Sequence, residues 1–338
     1  MLRRARFLHG PATDIALALA WVPFALAAHL FEGSTYALGL LVGGVFLLSF
    51  THQPLTLGLV YGDRSQLERK PVVYALSPLV FVALVTAGLM VSLTLVAVIA
   101  GLWNAEHTLM QRYGLTRLYG RKVGDDHGAL EKPMLVSWLV LALVFTAAST
   151  RTPHLVHRIG LGSTNETGVR LLTDLRPLAL VLLVPVIGTV VVLAWRWVMA
   201  ERALGPRANP AKHLYVVSTA VLFAVILLDP IAGLVAYVAS HAVEYFVVVH
   251  RSLRGRVRAG DTSAVARASA TRPRRALLYV VYVGAIVVFA FATHDRYGSI
   301  YRFAVLFLGA LHIFYDGFIW KLRRPAVASS LGLDPVAA

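Results

Sequence analysis

Residues 72–112 read VVYALSPLVFVALVTAGLMVSLTLVAVIAGLWNAEHTLMQR, and this stretch decides the class of fold. As one helix, its 41 residues would form a rod about 60 Å long, which is twice the thickness of a bilayer core. The run must therefore fold back on itself, and Gly88–Ser92 is the place where a tight hairpin fits. The stretch predicts two consecutive membrane-spanning helices.

The rest of the chain repeats this pattern of long apolar runs. A bilayer core needs about 20 apolar residues per helix, and this length predicts an all-α, polytopic transmembrane helix bundle of ten helices in a single integral membrane domain, residues 1–338. The predicted spans are 14–31, 36–57, 72–89, 91–112, 133–150, 177–195, 213–228, 231–250, 276–293 and 301–320. We expect the first helix to be an uncleaved span, because its apolar run is longer than that of a signal peptide. We expect the basic segment 251–275 to be a mobile cytoplasmic loop.

Composition supports a membrane protein and limits its chemistry. The chain is 58% hydrophobic and 14% charged, whereas soluble domains carry about 45–50% apolar and about 25% charged residues. The sequence has 12 histidines and no cysteine. The lack of cysteine excludes disulfide scaffolds, thiolate metal sites, iron–sulfur clusters and cysteine nucleophiles. Histidine and carboxylate side chains remain as metal ligands.

The positive charge is distributed unevenly across the predicted membrane. With a cytoplasmic N-terminus, 26 of the 32 Lys and Arg residues fall on the cytoplasmic side and six on the other. Such a bias predicts that both termini are cytoplasmic in a cell (inner or plasma) membrane. It also explains the net charge of +15 by contact with anionic lipids. We therefore expect no nucleic-acid partner.

Four histidines lie inside predicted spans, where ionisable groups are costly and are default candidates for a functional site. They are His52, His107, His241 and His312, on the second, fourth, eighth and tenth helices, which all run from outside to inside. The last three lie about 7–15 Å from the inner boundary, judged by the nearest basic residue. Pro54 interrupts the second helix and makes the depth of His52 harder to read. The four histidines can share one layer in the cytoplasmic half of the bilayer.

Three of these histidines have a polar companion one helical turn later, on the same helix face. Gln111 follows His107, Glu244 follows His241, and Asp316 follows His312. Imidazole and oxygen ligands together are typical of iron, manganese or zinc sites. The pattern predicts a divalent metal held by the four histidines. Glu244 and Asp316 would be further ligands or would orient the histidines, Gln111 would position a water, and His213, on the same inner side, is a candidate fifth ligand.

The arrangement of His52, His107, His241 and His312 resembles that of the bacterial β-carotene dioxygenases of the Brp/Blh type. The resemblance covers four short patches of the chain. It implies a polytopic protein in which four histidines hold one iron and a lipid-soluble substrate is oxidised. This sequence departs from the pattern in having ten spans and no closely spaced histidine pair on one helix.

We therefore expect a membrane metalloenzyme, an iron-dependent oxygenase or oxidase that acts on an apolar small-molecule substrate. A mononuclear and a di-iron site are both compatible with the residues, and no redox partner is indicated. One alternative is a proton-coupled transporter in which Glu244, Asp316 and the histidines form a relay. Another is a haem- or quinone-binding membrane protein, because such ligation needs only two histidines. A structural network of hydrogen bonds between helices is the third.

Overall fold

The computed structural model describes residues 7–152, 154, 166–294 and 298–333. Arg3, Arg4, Arg6, Arg158 and Arg296 of the charge count lie outside these residues. The described residues form α-helices and one 3-10 turn, without a strand. The helices are α1 (Pro11–Ala18), α2 (Val22–Leu30), α3 (Thr35–Tyr61), α4 (Arg64–Arg69), α5 (Pro71–Val91), α6 (Leu93–Arg121), α7 (Gly128–Ala148), α8 (Glu166–Ala203), α9 (Pro210–Leu228), α10 (Pro230–Arg258), α11 (Ala264–Ala268), α12 (Arg272–His294), α13 (Gly298–Ile319) and α14 (Pro325–Ser330).

The predicted all-α, multi-pass fold is confirmed. Within the described ranges, nine helices are long and apolar enough to cross a membrane, namely α3, α5–α10, α12 and α13. The pair α1 and α2 passes the same test together, with a bend of 40°. After the bend, α2 has Pro23 in its first turn, where the missing N–H costs no intrahelical hydrogen bond. Counting this pair as one span gives the ten that the sequence predicts.

The hairpin predicted at Gly88–Ser92 is present. Helix α5 ends at Val91 and α6 begins at Leu93, with Ser92 between them in extended conformation, φ −166° and ψ 118°. The Ser92 N–H donates to the Gly88 carbonyl over 2.9 Å. A Cβ at Gly88 would lie 2.5 Å from Val96 Cγ2, so a larger residue here would require the Val96 side chain to shift.

The chain divides into two compact units. The first contains Met1–Val45 and Ala105–His241, and the second contains Phe46–Asn104 and Ala242–Ala338. Each unit has a buried apolar core of its own. The core of the first unit includes Trp138, Phe223 and Tyr237. The core of the second unit includes Tyr74, Tyr245 and Tyr315.

The basic segment 251–275 is more regular than the loop that the sequence predicts. Residues up to Arg258 continue α10, and α11 and the start of α12 occupy much of the rest. Arg256 pairs with Asp63, and its Nε lies 2.6 Å from Asp261 Oδ2. Arginine is a good helix former and complements the helix dipole in a last turn. The helix therefore continues after the apolar run has ended.

Candidate functional site

The second unit contains a pair of buried histidines. His52 in α3 and His312 in α13 are each 1% exposed. Their Nε2 atoms lie 3.2 Å apart, and their rings are nearly perpendicular, at 82°. Two nitrogen atoms of different helices thus face one another inside the unit.

The Nε2–Nε2 distance is that of a hydrogen bond between the two imidazoles, and it is also compatible with two ligands of one metal ion. Two imidazole nitrogens bound to one ion at about 2.0–2.1 Å, at a tetrahedral or right angle, are about 3 Å apart. The two axial ligands of a haem lie on opposite sides of the iron and are about 4 Å apart. The observed 3.2 Å is close to the separation of neighbouring ligands of one ion and shorter than that of two axial haem ligands.

Thr56 joins His312 to two neighbouring polar side chains, Asp316 and Tyr245. Its Oγ1 donates to Asp316 Oδ1 over 2.9 Å and lies 2.7 Å from His312 Nδ1. A hydroxyl has one proton to donate, so when that proton goes to Asp316 the contact with His312 is an Nδ1–H that donates to Thr56. The second nitrogen of His312, Nε2, then carries the lone pair that a metal needs, directed at His52.

Asp316 is held on the same side of α13 as His312, as their spacing of four predicts. Its Oδ1 also accepts from the Tyr245 hydroxyl over 3.0 Å, and its Oδ2 lies 3.8 Å from His312 Nε2. Of the two predicted roles, orienting the histidine and ligating the metal, the hydrogen bonds through Thr56 serve the first. A carboxylate behind a ligating histidine is a common feature of metal sites.

The first unit contains the other two predicted histidines. His107 in α6 and His241 in α10 are 7% and 0% exposed, and their ring centroids lie 5.0 Å apart at 88°. The Nε2 of Gln111 donates to the backbone carbonyl of His241 over 3.1 Å. Gln111, which the sequence predicts to position a water, therefore links α6 to α10 by a hydrogen bond. Glu244, assigned to the second unit, is fully buried.

Sequence reasoning missed a buried ionic cluster in the first unit. The ionic cluster consists of Arg117, Asp125, Glu131, Glu201 and Lys212, with His127 and His213 at its edge. Lys212 has no exposed surface and contacts Asp125, Glu131 and, over 2.5 Å, Glu201. Burial opposes the ionisation of Asp125, but hydrogen bonds from Lys212 and from the His127 N–H hold its pKa below its usual range. His213, the candidate fifth ligand, instead donates from Nε2 to Glu201 over 2.8 Å.

Thr56 is the other residue that sequence reasoning missed, and a signal for it exists. It follows His52 by four residues, which is the same spacing that joins His312 to Asp316. Every one of the four histidines therefore has a polar companion one turn later. The ionic cluster has a weaker signal, because its residues look like ordinary charges near helix ends.

Histidine and carboxylate side chains of the described residues, His312 and Asp316 among them, form groups whose ligand atoms lie close enough together to hold a metal ion. Another such group, Asp125, His127 and Glu201, belongs to the ionic cluster of the first unit. Neither the grouping nor the distances identify the metal. No protein-family model, curated protein or solved structure matches this sequence.

Proposed function

We propose that the chain is an integral membrane metalloenzyme, an iron-dependent oxygenase or oxidase that acts on an apolar, lipid-soluble substrate. The observation that carries the proposal is the 3.2 Å separation of His52 Nε2 and His312 Nε2, together with the hydrogen bonds that link His312 through Thr56 to Asp316. Bound iron with open coordination positions supplies the chemistry of dioxygen activation.

The residues of the second unit have different roles around this metal. His52 and His312 bind it, and Thr56 with Asp316 orients the His312 ring and increases its basicity as a ligand. Tyr245 donates to Asp316 and keeps that carboxylate in place. His107 and His241 stay predicted ligands, and Glu244 stays a predicted ligand or orienting group.

The surroundings favour an apolar substrate that enters from lipid. Helices α5 and α12 of the second unit are among the most apolar and least buried spans, so much of the unit faces hydrocarbon. We place the site in the cytoplasmic half of a cell membrane, with anionic lipids at its basic inner face. The proposal also requires a reducing partner, a one-electron donor that keeps the iron ferrous.

Dioxygen uptake by the purified chain in lipid nanodiscs tests the proposal. A conjugated polyene is the first substrate to try, and a saturated hydrocarbon of equal length is its control. We expect polyene-dependent uptake that is lost in His312→Ala and kept in His250→Ala, a histidine of the same unit that stacks on Tyr279. Iron-loaded protein without uptake on any apolar substrate, or His312→Ala with wild-type uptake, would contradict it.

A further inference from the structure

Three side chains that can bind a metal, one imidazole and two carboxylates, meet at one end of the first unit. They are His29, Glu32 and Asp229, here called the outer cluster, and their ligand atoms all lie within 4.8 Å of one another. His29 Nδ1 is 3.3 Å from Asp229 Oδ2 and 4.0 Å from Glu32 Oε2. All three residues belong to the first unit, and none of them takes part in the proposed function.

Hydrogen bonds hold the helices that carry these residues side by side. The Trp21 indole N–H, at the start of α2, donates to Ser218 of α9 over 2.7 Å, and the Ser218 hydroxyl donates to the Ala18 carbonyl. His29 follows Trp21 by about two helical turns, and Asp229 follows Ser218 by about three. The two helices therefore run in the same direction, and their C-terminal ends meet at the outer cluster.

Backbone hydrogen bonds position both carboxylates. Asp229 Oδ1 accepts from the Ala232 N–H at the start of α10 over 3.0 Å, so Oδ2 is the oxygen that lies near the His29 ring. The Glu32 N–H donates to the His29 carbonyl over 3.2 Å, and this turn brings the Glu32 side chain back beside the imidazole. Carboxylates that ligate a metal are commonly held by hydrogen bonds in this way.

The charge of the outer cluster favours a divalent cation. Glu32 lies just beyond the C-terminal end of α2, where the helix dipole disfavours a negative charge. A protonated His29 compensates one of the two carboxylates. A divalent ion compensates both and leaves the histidine neutral, which is the form that binds metals.

The spacing and the kind of ligand atoms limit the choice of ion. Two ligand atoms of a tetrahedral ion, each bound at about 2.0–2.1 Å, are about 3.3 Å apart. The distance from His29 to Asp229 has this value, which a hydrogen bond between the two side chains also allows. Glu32, whose side chain is 41% exposed, reaches the same spacing by a shift of less than about 1 Å. An imidazole with two carboxylates suits Zn²⁺ better than Ca²⁺ or Mg²⁺, which take oxygen ligands.

We infer that His29, Glu32 and Asp229 bind a divalent transition-metal ion of the zinc type. The ion joins the end of α2 to the connection between α9 and α10. In the predicted topology this end of the two helices lies on the non-cytoplasmic side. Three protein ligands leave a coordination position for water, so the ion exchanges with the surroundings. The inference shares no residue with the proposed function and does not depend on it.

Isothermal titration of the full chain in detergent with Zn²⁺, after removal of any affinity tag, tests the inference. We expect His29→Ala to bind one zinc ion fewer per chain, both in the wild type and in a His52→Ala/His312→Ala background that lacks the proposed iron ligands. Asp229→Asn should weaken this binding by at least the about 10- to 100-fold that the loss of an orienting group costs. Asp174→Asn, an exposed carboxylate of α8, should leave it unchanged, and excess Mg²⁺ should not compete.

Thermal unfolding of the same proteins gives a second readout. Zn²⁺ should raise the melting temperature of the wild type, because an ion that binds only the folded chain stabilises it. It should not do so in Glu32→Gln or in Asp229→Asn, which keeps the Oδ1 acceptor for the Ala232 N–H. Equal zinc binding in the wild type, His29→Ala and Asp229→Asn would overturn the inference, since the zinc would then be adventitious. Zinc bound at the outer cluster of an iron-free wild type would support this inference and contradict only the proposed function.

Discussion

A single hydroxyl, that of Thr56, connects the His312 ring to the Asp316 carboxylate. When its one proton goes to Asp316, His312 is protonated at Nδ1 and presents a lone pair at Nε2. The contacts of 2.7 and 2.9 Å that define this arrangement are short enough to fix the ring. Metal affinity should therefore depend on Thr56, although Thr56 itself does not touch the metal in this account.

Replacing Thr56 by valine keeps the side-chain shape and removes the hydroxyl. We expect Thr56→Val to lower metal affinity about 10- to 100-fold, as is typical when a group that orients a ligand is lost. Thr56→Ser should retain most of the affinity. Competition with a chelator measures both variants, and wild-type affinity in Thr56→Val would show that His312 needs no orienting group.

Lys212 is the centre of the ionic cluster, and its removal leaves three carboxylates with less compensation. We expect Lys212→Met to lower the free energy of unfolding in mixed micelles by about 3–5 kcal/mol. Lys132→Met, at an exposed position of α7, is the matched control. The stability that Asp125 contributes is present above its ordinary pKa, near 4, and is lost as the pH falls through its lower folded pKa. This acid-dependent loss should be smaller in Lys212→Met, and an equal acid dependence in both proteins would refute the assignment.

At the scale of elements, the connection between α9 and α10 depends on one glycine. Asp229 separates the two helices, and its Oδ1 accepts from the N–H of Ala232 over 3.0 Å. A Cβ on Gly233 would lie 2.5 Å from the Cα of Ile226 and 2.7 Å from its backbone nitrogen. A backbone cannot move aside as a flexible side chain can, so the hairpin requires glycine here.

Gly233→Ala should therefore destabilise the first unit, while most helical Gly→Ala changes stabilise by about 0.5–1 kcal/mol. Gly284→Ala in α12 is the control, because nothing lies within 4 Å of its added Cβ. Thermal unfolding in detergent compares the two. A Gly233→Ala melting temperature at or above that of Gly284→Ala would disprove the close approach of the helices.

The sequence predicts the positions of these elements well because hydrocarbon selects their apolar residues. It predicts their inner ends poorly, since beyond the bilayer a helix needs no apolar face. Helix α6 continues to Arg121 and α10 to Arg258, past the residues at which the hydropathy signal ends. Arg112, which sequence reasoning uses as a boundary marker, is fully buried and donates to Thr219 and Ser240.

For the whole molecule, the number of spans and the burial of all four histidines follow from the sequence. The residues that each histidine contacts do not. Hydropathy contains no information on which helices are neighbours, so the pairing of His52 with His312 and of His107 with His241 comes from the structure. The same limit applies to Lys212, because the sequence does not distinguish a solvated lysine near a helix end from a buried one. The division into two units has no hydropathy signal either.

The membrane orientation is testable over the whole molecule because the chain has no cysteine. We expect Arg267→Cys to react with an impermeant maleimide only from the cytoplasmic side and Arg302→Cys only from the opposite side. Both positions are exposed. Reaction of the two cysteines from the same side would contradict the predicted topology.

The central claim is that His52 and His312 bind a metal inside the membrane, and elemental analysis of detergent-purified protein tests it most directly. The account predicts near-stoichiometric iron in the wild type and in His250→Ala, and its loss in His52→Ala and His312→Ala with membrane insertion unchanged. A folded, metal-free wild type, or full iron in both histidine variants, would contradict it.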